Sequence, residues 1–131
     1  MPPRRRPRGE RGSSLVEVVV VTTALVFFVA ASLQFVMWGH GTQVVQAAAR
    51  DGARVGRLGG TGEESRAVAL GVVEGASGGW IRGAGVDARI TGTARVEVWG
   101  DVPSLVPFLT VSVRGVVEAP VERFRPDGAG S

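Results

Sequence analysis

Between Leu15 and Trp38 the chain carries one apolar run, LVEVVVVTTALVFFVAASLQFVMW, with a single acid, Glu17, near its start. As a helix rising 1.5 Å per residue, this run extends about 36 Å, against roughly 30 Å of bilayer hydrocarbon. It is long enough to span. A carboxylate at mid-bilayer costs about 2.5–3.5 kcal/mol on insertion scales. Glu17 therefore needs either a counter-ion or a place one turn inside the membrane, from which it can reach the headgroups. Thr22, Thr23 and Ser32 can bond back to helix carbonyls, so they are tolerated in lipid. Trp38 suits the interfacial aromatic belt, and Gly39-His40-Gly41 marks a place where a helix can bend or stop.

Two other readings compete for this run. A cleavable secretory signal has an apolar region of about 7–15 residues and a small-residue cleavage site, which Val29-Ala30-Ala31 could supply. The early acid and the continuation to Trp38 oppose it. A core helix of a soluble protein needs surrounding structure that the rest of the chain is too short to provide.

The charge pattern orients the segment. All 15 basic residues are arginine, and the net charge of +3 comes from the leader, where Arg4, Arg5, Arg6, Arg8 and Arg11 face only Glu10. A basic flank on one side of a span is the positive-inside signal. A nucleic-acid arm is the sharper alternative, but no aromatic residues interleave the arginines and an apolar run follows at once. With no cysteine in the chain, there is neither a disulfide framework nor a thiolate metal site.

Beyond the apolar run, residues 42–58 read as a helix with Val44, Val45, Ala48, Ala49, Val55 and Leu58 on its apolar side. Ala48, Gly52 and Gly56 recur every fourth residue, a helix-packing stripe that permits close approach of another helix. Gly59 and Gly60 end this helix. Thr61 and Glu64 form a capping box for a second helix running to about Glu74, with Ala67, Val68, Leu70, Val72 and Val73 apolar. Two short strands follow. A three-residue turn, Thr91-Gly92-Thr93, sets Ile90 by Ala94, Ala88 by Val96 and Val86 by Val98, which keeps one face apolar. Asp101–Phe108, with prolines at 103 and 107, reads as a loop. A third strand begins at Leu109, Val111 and Val113, and Gly115 bends it before Val116 and Val117.

The expected fold is α+β: a long N-terminal transmembrane helix continuing into an outer helix, a second helix, and a small antiparallel sheet of about three strands. The expected organisation is a basic cytoplasmic leader over 1–12, a transmembrane helix over 13–38, an outer helix and linker over 39–60, a small α+β extracytoplasmic domain over 61–120, and a flexible tail over 121–131.

Catalytic chemistry is not supported. His40 is the only histidine and lacks partners for a triad or a metal cluster. Gly83–Ala88 matches the loose G-x-G-x-x-A pattern but without the strand-turn-helix context that gives it meaning. No phosphate loop with G-K-[ST] is present. The expectation is no enzyme activity, no cofactor, no metal and no small-molecule substrate.

The stretch Gly12-Ser13-Ser14-Leu15-Val16-Glu17, followed by the apolar run, resembles the class III leader junction of type IV pilin-like proteins. The segment from Gln43 to Arg54, with AAARDGAR at its centre, resembles the post-membrane "AAREGAR" segment of TadE-like proteins, minor pseudopilins of tight-adherence (Tad/Flp) pilus systems. The good matches cover about residues 9–58. The resemblance implies a leader peptidase acting after Gly12, Ser13 as the new N-terminus, and Glu17 as the acid at the fifth mature position. Ser13 is not the bulky first residue of major pilins, and Val18 stands where many Flp major pilins carry tyrosine. Both features, and the sizeable outer domain, point away from the bulk fibre subunit. The implied place is a bacterial cytoplasmic membrane, with the N-terminus cytoplasmic and the domain outside. The implied partners are the lipid bilayer, other pilin or pseudopilin subunits, the pilus assembly machinery and, transiently, the leader peptidase. A bitopic anchored module unrelated to pili and a secreted domain are the alternatives.

Overall fold

The element order is α1 (Gly9–Arg57), α2 (Gly62–Ser77), β1 (Arg82–Ile90), β2 (Thr93–Val102) and β3 (Val111–Pro120) in a computed structural model that describes residues 2, 3 and 9–122, with side chains from 12 onward in α1. Arg4, Arg5, Arg6 and Arg8 of the basic leader, and residues 123–131 of the expected tail, lie outside the described residues, as do the side chains of Glu10 and Arg11. The fold class is the expected α+β, with a long apolar N-terminal helix, a second helix and a three-stranded antiparallel sheet in the order β1-β2-β3. The chain divides into two units, Met1–Phe35 and Val36–Ser131, and α1 contributes to both.

In the second unit both helices supply one side of a valine- and alanine-rich core. Val45, Ala48, Ala49 and Ala53 of α1 join Ala69 and Val73 of α2 and Val86, Val96, Val98, Val102 and Val113 of the sheet. α2 meets this core through Ser65, Ala69, Val73 and Ser77, a stripe of mostly small residues at fourfold spacing. That differs from the expected set: Ala67 and Val68 are exposed, because the small stripe is the side that allows a close approach. Leu58 is also exposed, since α1 has ended at Arg57.

Helix ends follow from local chemistry. Gly59 at φ +91° and the bonds from Gly60 N–H to Val55 O (2.9 Å) and Gly59 N–H to Gly56 O (3.3 Å) close α1 in a Schellman arrangement. The Thr61 hydroxyl accepts from Glu64 N–H at 3.2 Å and caps α2 as expected. α2 runs past Glu74 to Ser77 and stops at Gly78, whose φ of +59° is left-handed.

The β1–β2 register matches the expectation: Val86↔Val98, Ala88↔Val96 and Ile90↔Ala94. The alternation alone was enough to set it, because a slip of one residue turns the apolar set to solvent. β1 and β2 are longer than expected, whereas β3 begins at Val111 rather than at Leu109. β1 begins at Arg82 with an irregularity between Arg82 and Gly85, and Gly85 lies under the Trp99 indole of β2. β2 continues through Asp101 and Val102, which read as loop in the sequence. Val102 is buried in the core, and Asp101 Oδ1 accepts from the Ser112 hydroxyl at 2.8 Å across the ladder.

Gly115 does not bend β3; the strand pairs continuously from Val111 to Pro120. Its glycine serves a close approach, because a Cβ there would lie 2.8 Å from the carbonyl carbon and oxygen of Val45. The same logic keeps α1 helical through Gly39-His40-Gly41. A Cβ at Gly41 would lie 2.7 Å from Val102 Cγ2, so this glycine admits the sheet without stopping the helix. Beyond β3, Val121 N–H donates to Gly92 O at 3.2 Å, and Glu122 N–H to Arg57 O at 3.2 Å.

Candidate functional site: an exposed apolar helix and its small-residue continuation

The first unit presents a helix whose apolar side chains have no protein around them. Leu15, Leu25, Phe27, Phe28, Leu33 and Phe35 are each more than half exposed, and so are the valines at 16, 18, 19, 20 and 21. Among the described residues this is the one helix long and apolar enough to cross a membrane, and no part of its most apolar window is buried. An exposed apolar surface of this extent marks a membrane- or protein-contact surface. The Thr23 hydroxyl donates to Val19 O at 2.7 Å and the Ser32 hydroxyl to Phe28 O at 2.8 Å, which satisfies both within the helix. Val29-Ala30-Ala31 lies inside the uninterrupted helix.

Gly12 and Ser13 lie in the second turn of α1, and Glu17 one turn further on. All three are exposed. Nothing approaches within 4 Å of where a Gly12 Cβ would sit, so its lack of a side chain meets no packing need inside this chain.

The stripe Ala48, Gly52 and Gly56 is buried inside the second unit. A Cβ at Gly52 would lie 2.9 Å from Ser65 O and 3.2 Å from Ala69 Cβ, so this glycine lets α2 come against α1. At Gly56 a Cβ would meet Ile90 Cδ1 and, at 3.0 Å, Ala94 Cβ. The close approach expected from the spacing is therefore filled by α2 and the sheet of the same chain. Sequence alone placed the small residues on one face, but could not say which neighbour takes it.

Two surface features of this unit have no signature in the sequence. A groove of about 380 Å³ runs beside Arg50, Arg54, Arg57, Val117 and Glu122. In it Arg57 Nη2 pairs with Glu122 Oε1 at 2.9 Å, and both side chains are well exposed. His40 stacks on Trp80, with ring centroids 5.6 Å apart and planes 22° from parallel. Val36 and Met37 border the same shallow depression. The sequence shows His40 and Trp80 forty residues apart, with no pattern to join them. Gly83–Ala88 lies within β1, so the loose dinucleotide pattern has no strand-turn-helix setting. Among the described residues no three His, Asp or Glu side chains gather as metal ligands do.

Comparison with known proteins agrees with the resemblance seen in the sequence. A family model described as TadE-like protein matches residues 12–54, from Gly12 through the AAARDGAR segment. No curated protein and no solved structure gives a match.

Proposed function

We propose that the chain is a membrane-anchored pseudopilin acting in assembly of a Tad-type pilus, with residues 13–38 as the span and the α+β unit outside. The observation that carries this reading is the pairing of the TadE-like match over residues 12–54 with the exposed apolar stretch of α1 that lies within it. The first supports a pilus-associated protein, and the second supports membrane anchoring. In this reading the arginine-rich leader stays cytoplasmic, and the leader peptidase cuts between Gly12 and Ser13.

Cleavage there would create an α-ammonium at Ser13, one helical turn from Glu17. In a bundle of such helices, Glu17 of one subunit pairs with the ammonium of a neighbour. An acid unpaired in lipid is costly, so its pairing favours ordered assembly over isolated subunits. Because Ala48, Gly52 and Gly56 are taken up within the chain's own domain, the surface left for helix–helix packing between subunits is Leu15–Trp38. The function is structural: priming, tipping or regulating a fibre through these contacts.

N-terminal sequencing of the protein purified from membranes tests the reading. A start at Ser13 supports it. A start near Ser32 identifies a secreted domain released by signal peptidase, and an intact leader on a protein that never accompanies fibre subunits identifies an unrelated anchored module. Either of the latter results overturns it.

A further inference from the structure

The sheet order leaves β1 and β3 each with one unpaired side, and the two edges are not alike. β1 is irregular between Arg82 and Gly85, has Gly83 at φ +60°, and carries Arg82, Asp87 and Arg89. β3 pairs with β2 without a break from Val111 to Pro120, and its one proline is its last residue. The alternate residues of β3 on the core side, Val111, Val113, Gly115, Val117 and Ala119, bear no charge. Edge strands are commonly guarded by a bulge, a proline or an inward charge. β1 has such a guard, and β3 has none along its length.

The groove of about 380 Å³ lies between α1 and this edge strand, and the half-buried Val117 and Ala119 of β3 give it an apolar lining. On the α1 side Arg50, Arg54 and Arg57 stand at i, i+4 and i+7, within about 60° of one another at 100° per residue. Asp51 and Glu122 also border it. The chain itself shows how an acid on extended backbone sits there. Just beyond β3, Glu122 brings Oε1 to 2.9 Å from Arg57 Nη2, and its N–H donates to Arg57 O at 3.2 Å. Arg50 and Arg54 are exposed, and among the described residues neither has a carboxylate within 4 Å.

We infer that an extended acidic segment of a partner protein adds to the outer edge of β3 as a fourth strand and sets two carboxylates on Arg50 and Arg54. The spacings agree. Residues four apart on a helix are about 6 Å apart along its axis. Carboxylates two apart on a strand lie on one face, about 6.7 Å from each other. The edge also offers backbone donors and acceptors, which a peptide completes and a lipid headgroup does not. A second copy of this chain does not supply the segment, because no two of its 12 acids stand two residues apart. The inference goes beyond the proposed assembly role. It adds a partner site within the Val36–Ser131 unit, and it depends neither on cleavage after Gly12 nor on pairing by Glu17.

Fluorescence anisotropy on the full-length protein in neutral-detergent micelles tests it. The probes are a fluorescein-labelled peptide, Thr-Val-Asp-Val-Asp-Val-Thr, and its counterpart with asparagine for both aspartates. The aspartate peptide should bind about ten-fold more tightly, as two exposed ion pairs allow. The double variant Arg50→Gln, Arg54→Gln should lose that preference, and Arg66→Gln, which removes an exposed arginine of α2, should keep it. All three side chains are exposed, so the variants should unfold at the native midpoint. For the strand pairing, the aspartate peptide is N-methylated at its first two valines in one copy and at both aspartates in another. Alternate N–H groups of a strand face its neighbour, so the two copies should differ several-fold in affinity. Equal affinity for the aspartate and asparagine peptides overturns the inference, as does a preference that survives in the double variant or vanishes in Arg66→Gln. Equal binding of the two methylated copies overturns the added strand. A preference seen only in a chain cut after Glu122 marks its own tail as the occupant and overturns the partner.

Discussion

Gly115 of β3 lies directly on the backbone of Val45 in α1, so close that a Cβ would stand 2.8 Å from the Val45 carbonyl and 2.9 Å from Gln46 N. Sheet and helix meet here main chain to side of main chain, with no side chain between them. The obstacle to any larger residue is backbone, which no rotamer change can relieve. Gly115→Ala is therefore expected to destabilise the domain by about 1–3 kcal/mol through overpacking. Thermal unfolding of the purified full-length protein in detergent micelles measures it, and an unchanged midpoint would contradict the close contact.

The two helix glycines Gly52 and Gly71 predict opposite signs. Gly52 faces Ser65 O at 2.9 Å, whereas nothing lies within 4 Å of a Cβ at Gly71 in α2. Gly71→Ala should stabilise by about 0.5–1 kcal/mol, the helix-propensity difference, and Gly52→Ala should destabilise as α1 and α2 are forced apart. The two variants, compared in the same unfolding assay, should move the midpoint in opposite directions.

The cap of α2 gives a third expectation. Thr61 sits at φ −79°, ψ 163°, with its hydroxyl on Glu64 N–H and its carbonyl accepting from Ser65 N–H at 3.0 Å. Thr61→Ala should lose about 1 kcal/mol, and Thr61→Ser should retain most of it. Equal losses in both variants would mean that the hydroxyl is not the source of the stability.

What the sequence disclosed and what it hid divide along the range of the interactions. The cap at Thr61, the glycine stop at Gly59-Gly60 and the register Val86↔Val98 rest on residues near one another in the chain or on strict alternation, and each was legible. The roles of Gly41 and Gly115 were not. In sequence a glycine reads as a break or a bend, and only the arrival of Val102 or Val45 from far along the chain shows that it admits a neighbour. Val102 likewise looked like loop beside Pro103, until burial against α1 drew it into the strand. At the candidate site, the exposed apolar run and the acid Glu17 were legible because spacing and polarity alone define them. The stacking of His40 on Trp80 was not, because no periodicity links those segments.

In the proposed function, Glu17 acts in assembly by pairing with a neighbouring subunit in the membrane. The direct measurement is piliation, together with co-purification of fibre subunits, in cells carrying Glu17→Ala in place of the native residue, with membrane levels of the variant confirmed by immunoblot. The expected variant still inserts in the membrane but no longer accompanies fibre subunits, with piliation reduced. Normal fibres and undiminished co-purification from a variant present at native levels would contradict it.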